Sequence, residues 1–306
     1  MKAVGNRLVI YLNGNIVVFV TDPDATFMQT SEVPEDMALY LGHGAIAPDG
    51  VLSFGKDSVF WSKFGVKSLA SSLQTGRLEI GEDVSEPIDN HLEEKFDFVR
   101  TNNLEDYISM EHYPKRSWII LNYPVNAGAT TFEQAVYHYQ YGAWFEWKGI
   151  NVFSMLSDSQ GRLFGGGAGF IYRLDNGTND DGAAIDTVWT TPWLYLGEGS
   201  VNKFLRYLTY IFSGTTTIEF DQTLAFDFSA SAADIFTETF TVTPTGSQWD
   251  IALWDIDLWD GANRIKLRRA VRGKGLAFKL SLRNNKADQA FVLEYMRIEH
   301  LLGGAN

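Results

Sequence analysis

"GRLFGGGAGFIYRLDNGTNDDG" spans Gly161–Gly182, with four glycines in positions 165–169 and an acidic, Asn-containing run behind them. Three readings compete: a phosphate cradle, a calcium loop, or the strands and turns of a repetitive β-protein. A P-loop needs Lys and then Ser or Thr after its glycines, at the start of a helix. Here Ile171, Tyr172 and Arg173 follow, a strand-forming run. The dinucleotide fingerprint fails as well, because Phe170 stands where its third glycine belongs and no βαβ unit follows. Asp175, Asn179, Asp180 and Asp181 offer oxygen ligands, but the Gly and Glu positions of an EF-hand loop are absent. What remains is a pair of short strands, Arg162–Gly165 and Phe170–Leu174, with polar turns on either side. The glycines then serve close backbone approach and positive φ. Gly-rich strands joined by polar turns are the texture of a propeller blade or a similar meander.

The same texture extends outward. "RLVIYL" and "IVVFV" flank "NGN", a hairpin signal near the N-terminus. Val51–Phe54, Ser58–Trp61 and Val66–Leu69 form a second short-strand unit. Val136–Gln140, Ala143–Trp147 and Asn151–Leu156 lead into the glycine stretch at meander spacing. Residues 71–116 break the rhythm. They are acidic and polar, with weak helical spacing through Ile88, Leu92 and Phe96, and read as a helical excursion or surface loop. From about residue 183 the strands lengthen and alternate more cleanly, as in "KFLRYLTYIF", "TETFTVTP" and "AFVLEYMRIEH". The expectation is an all-β chain: a propeller-like region over 1–182 and a β-sandwich of jelly-roll-like kind over 183–306.

The bulk numbers agree. The chain has 306 residues, 45% hydrophobic and 14% aromatic, enough for packed cores. It has no cysteine, which removes disulfides, thiolate chemistry and Cys-based zinc sites. No run approaches the ~18–20 apolar residues of a membrane helix, and no signal peptide is recognised at the N-terminus. The five histidines lack metal-site spacing and no Gly-x-Ser-x-Gly elbow occurs. No cofactor or metal is expected, and the chain is read as a non-enzyme.

The net charge of −13 is unevenly spread: residues 1–263 carry 15 basic against 35 acidic side chains, residues 264–306 carry 10 against 3. Within 264–286 there are nine Lys or Arg and no acid. Arg264, Lys266 and Arg268 alternate with Ile265 and Leu267, which puts one basic and one apolar face on a strand. With Arg269 and Arg272 they form a candidate contact for DNA phosphates or an acidic partner; a solvated outer face is the plain alternative. "WDIALWDIDLWDG" repeats Trp-Asp every five residues at Trp249, Trp254 and Trp259. It reads either as core Trp at packed corners or as a Trp platform for sugars.

Residues Gln134–Leu194 carry a resemblance. The Tyr-rich Val136–His138 strand is followed by the Trp144 strand and by the unit Gly161, Leu163, Gly165, Gly169, Ile171, Tyr172, Leu174 and Asp175. A Pro192 strand then enters the second domain. This order resembles the tail nozzle, or packaged-DNA-stabilisation, proteins of short-tailed bacteriophages, and the later Trp-Asp repeats resemble a pattern in their C-terminal domain. The resemblance covers about residues 45–70 and 117–300. It implies a structural virion protein of the tail, made in the host cytoplasm. It further implies a hexameric ring below the portal and adaptor that passes double-stranded DNA, retains it before ejection and anchors other tail parts. This chain supplies fewer blades than the family's propeller uses, so the propeller is either reduced or completed by a partner or neighbouring copy. The alternative function is a carbohydrate-binding or carbohydrate-active β-protein using the Trp-Asp cluster.

Overall fold

The structure, a computed structural model, describes residues 2–4, 7–12, 15–20, 37–41, 44–54, 57–69, 84–214, 216–229, 235–243 and 264–303. The chain is all-β and divides into two units, Met1–Asp175 and Asn176–Asn306.

The first unit is a propeller-like series of four antiparallel meanders. The first sheet holds β1 (Lys2–Val4), β2 (Arg7–Leu12), β3 (Asn15–Val20) and β4 (Met37–Leu41) in chain order. The second holds β5 (Val51–Phe54), β6 (Asp57–Ser62) and β7 (Gly65–Ser68). The third holds β8 (Ser109–Tyr113), β9 (Trp118–Pro124), β10 (Phe132–His138) and β11 (Ala143–Lys148). The fourth holds β12 (Ser154–Ser157), β13 (Leu163–Gly166) and β14 (Ile171–Leu174). The first strand of each sheet lies beside the first strand of the next: β1 by β5, β5 by β8, β8 by β12. That placement of leading strands makes the series propeller-like rather than a single extended sheet.

Alternation builds the junctions between sheets. Val9, Tyr11 and Ile16 of the first sheet pack on Val51 and Phe60 of the second. Trp61 and Val66 face the other way and meet Ile119, Leu121, Tyr123 and Phe132 of the third. Ile120, Val136, Trp118 and Phe145, on the opposite face of that third sheet, meet Leu163, Met155 and Leu174 of the fourth. One residue's shift along β9 therefore sends Ile119 and Ile120 into different cores, as the two-residue strand period requires.

The excursion over 71–116 is helical in part. Helix α1 (Asp89–Thr101) buries Leu92, Phe96 and Val99 in the core between the second and third sheets. The spacing of four, then three, places these side chains on one stripe. Strand β8 also lies inside this range, where the sequence suggested a helical excursion or a surface loop. Its residues Met110 and Tyr113 are buried.

The glycine stretch resolves into strand and turn. A Cβ on Gly165 would stand 2.7 Å from Val152 and 3.1 Å from Leu174, so β13 needs a bare backbone there to pack beside these two side chains. In the turn before it, the Asp158 carboxylate accepts hydrogen bonds from the Gln160 and Arg162 amides, and Gly161 takes φ 69°. Asp175 is held by the Tyr113 hydroxyl at 2.9 Å and by Arg116, which uses up its carboxylate in an ion pair.

The connection into the fourth sheet is pinned by two buried amides. Asn122 Nδ2 donates to the carbonyl of Val152 at 3.1 Å, and Gln134 Nε2 donates to Asn122 Oδ1 at 2.8 Å and to the carbonyl of Ile150 at 2.9 Å. Both side chains are fully enclosed. Asn122→Ala removes the side-chain donor to the Val152 carbonyl and one of the two acceptors of Gln134 Nε2, and is expected to cost about 1–3 kcal/mol. A urea titration reads this as a lower midpoint at unchanged slope.

The second unit is a β-sandwich. One sheet has the order β15 (Thr187–Thr190), β20 (Phe278–Asn284), β17 (Ile218–Phe226), β18 (Ile235–Val242). The other has β19 (Arg264–Gly275), β16 (Lys203–Gly214), β21 (Phe291–Leu302). Strand β17 alternates strictly, sending Ile218, Phe220, Leu224 and Phe226 inward. Phe220 stacks on Phe212 with centroids 4.7 Å apart and meets Phe291 edge-on at the same distance. Gln222 shares this inward face and is matched by the Tyr210 hydroxyl, 2.6 Å away. Gly273 lies against the Phe226 ring, where an added Cβ would fall within 2.0 Å of a ring carbon.

Candidate interaction surface

The three-stranded sheet of the sandwich has its inner face in the core and its outer face open. On β19, Ile265, Leu267 and Val271 pack toward the core, while Lys266, Arg268, Ala270, Arg272 and Lys274 are exposed. The alternation read from the sequence therefore becomes a row of cations along one strand. The register sets Lys266 opposite Ile211 and Arg268 opposite Thr209. On the far side of β16, Tyr295 stands opposite Ile211 and Arg297 opposite Thr209.

These residues line a shallow open groove of ≈ 410 Å³ formed by Thr209, Ile211, Lys266, Arg268, Tyr295, Arg297 and Glu299. Its polar centre is Glu299, which pairs with Arg268 at 2.7 Å and lies 3.8 Å from Arg297. The Arg268 guanidinium also sits 3.7 Å from the centroid of the Tyr207 ring. The carboxylate and the ring fix Arg268 in place. Such exposed pairs contribute little to stability, so their effect is to orient the guanidinium. With three cations against one carboxylate, the groove favours an anionic ligand or partner.

The other residues singled out from the sequence fall in different places. Arg264 opens β19. Arg269 turns away from the row, with its guanidinium 3.6 Å from Glu238 and 5.5 Å from the Phe240 ring centroid. Two consecutive arginines on a strand must point to opposite faces, which explains the split between Arg268 and Arg269. Trp249, Trp254 and Trp259 lie outside the described residues. The sequence reading did not single out Tyr207, Thr209, Tyr295, Arg297 and Glu299. Their signal is the period of two in "YLT" and "YMRIE", where every second residue shares the outer face with the basic row. Among the described residues no cluster of three His, Asp or Glu could hold a metal ion.

No family model and no curated protein sequence matches the chain. Among solved structures, the chain is similar to an exo-β-1,3-galactanase from Phanerochaete chrysosporium with galactose. The TM-score is 0.25 and the identity 8%, over 96% of this chain and 82% of that one. It is also similar to a glycoside hydrolase family 43 arabinoxylan arabinofuranohydrolase from Bacillus subtilis in complex with cellotetraose. There the TM-score is 0.25 and the identity 9%, over 95% and 78% of the two chains. These similarities correct the non-enzyme expectation. Both structures are glycoside hydrolases, and paired carboxylates among 38 acidic residues carry no recognisable spacing. The absence of a catalytic motif therefore excludes nothing. A likeness at this TM-score assigns no activity either.

Proposed function

We propose that the chain is a structural subunit of a short-tailed phage tail: a nozzle or hub ring below the portal and adaptor, through which double-stranded DNA passes. The observation that carries this reading is the segregation of charge, with an outward basic row on β19 in a chain of net charge −13. Copies arranged in a ring set that row against the acidic surface of a neighbour, and an acidic channel wall keeps DNA phosphates from adhering. The stretch that resembles nozzle proteins supports the same reading. Val136–His138 lie in β10, Trp144 in β11, Leu163 and Gly165 in β13, and Ile171, Tyr172 and Leu174 in β14, directly before the sandwich. The test is sedimentation of the purified chain with portal–adaptor particles. Stoichiometric co-sedimentation is expected, and a chain left in the supernatant at micromolar concentration contradicts the role.

A second reading, carbohydrate binding, is favoured by the groove itself. Tyr295 offers aromatic surface beside Thr209 and Glu299, the mixture of apolar faces and placed polar groups that small ligands need. It predicts saturable oligosaccharide binding that Tyr295→Ala reduces at least tenfold, about 1.4 kcal/mol. Binding unchanged in that variant removes the groove as the site.

A further inference from the structure

We propose that the outer face of the fourth sheet is a docking surface for a second copy of this chain, which presents the outer face of its first sheet. This takes up the ring of the proposed function and assigns the contact that builds it.

Three junctions join the four sheets of the first unit. Each joins one face of a sheet to the opposing face of the next through apolar side chains. The series has two ends. At the far end, the register places Leu156, Phe164 and Arg173 in one row and Ser154, Gly166 and Ile171 in the next, all on the face turned away from the third sheet. Leu156 is 63% exposed and Ile171 80% exposed. Gly166 adds no side chain, so the face is flat between them. Arg162 lies 5.4 Å from the Phe164 ring centroid and borders the patch. At the near end, Val9, Tyr11 and Ile16 are turned into the first junction. Ile10, Leu12 and Val17, at the intervening positions, share the opposite face. Ile10 and Val17 are half-buried and Leu12 is exposed. Among the described residues no apolar cluster joins the fourth sheet to the first.

The chain thus ends a run of face-to-face sheets on two apolar faces of opposite sense. The partner that continues the run is one that carries the missing face, and a second copy carries it. A contact between two different faces of identical chains is head-to-tail, and it closes into a ring when the rotation per copy divides the circle. Its chemistry differs from that of the basic row. Apolar contact persists at high salt, whereas charge pairing is screened.

The test is sedimentation velocity of the full chain in 0.5 M salt, with two variants on exposed positions. One is Leu156→Asp with Ile171→Asp, and the other is Leu12→Asp. Circular dichroism and the thermal midpoint confirm that each is folded. Wild type is expected to associate. Each variant alone is expected to be monomeric, and an equimolar mixture to form dimers that grow no further, since each copy keeps one intact face. Variants that associate like wild type overturn this inference and leave the tail role standing. A Leu12→Asp chain that still dimerises also overturns it, because the contact is then between two copies of one face. Wild type that stays monomeric here overturns the inference, while the co-sedimentation measurement decides the tail role separately.

Discussion

Trp61→Ala is expected to lower the stability of the first unit by about 3–5 kcal/mol, the range for removing a large enclosed aromatic. Trp61 is fully buried on the central strand of the second sheet and packs on Tyr123 of the third, ring centroids 5.8 Å apart. It stands in the core that also takes Phe96 and Val99 of the helix, so one cavity loosens two sheets and α1 together. For a domain of this size the melting midpoint falls by roughly 6–20 °C. Trp61→Phe is the informative control. The indole nitrogen has no hydrogen-bond partner among the described residues, so this variant loses volume without breaking a polar contact. It is expected to cost less than half as much in differential scanning calorimetry. Equal losses for the two variants contradict a cavity mechanism.

The second large effect is expected from the basic row. Lys266→Glu, Arg268→Glu and Arg272→Glu together reverse three exposed cations on one strand while leaving Ile265, Leu267 and Val271 to pack. If the row meets an acidic neighbour, the reversal sets like charges against each other, which costs several kcal/mol. Incorporation into tails is then expected to weaken at least 100-fold, about 2.7 kcal/mol. The wild-type incorporation is expected to weaken as salt rises from 0.05 to 0.5 M, because screening shortens the reach of exposed charges. Reversal of Arg269 alone is expected to act differently, since that side chain turns toward Glu238 rather than onto the outer face. A row variant that incorporates like wild type shows that the strip is only solvated.

The fold was legible where local chemistry decides it. Short β-rich runs bounded by Asn and Gly turns marked β2, β3, β5 and β6, and cleaner alternation marked nearly every strand of the sandwich. The glycine stretch was legible by elimination, and Gly165 against Val152 gives the physical reason for a missing side chain. Strand β8 was not legible. "SMEHY" is short and polar, and it becomes a strand because β9 pairs along it and two different cores accept Met110 and Tyr113. Tertiary context of that kind leaves no local pattern.

The candidate surface was half visible. Lys266 and Arg268 announce themselves by charge and period. The residues across the groove from them, Tyr295, Arg297 and Glu299, sit about 30 positions away and are joined only through β16. The register that places Thr209 between Arg268 and Arg297 also depends on an irregularity between Leu205 and Tyr207, which shifts the two faces relative to a regular strand. No periodicity reports it.

The most direct test of the account is negative-stain imaging of the purified chain, alone and with tail components. Rings with a central channel are expected, together with their incorporation beneath the portal and adaptor. Single particles that form no ring at any concentration and ignore tail components, yet bind an oligosaccharide, contradict it.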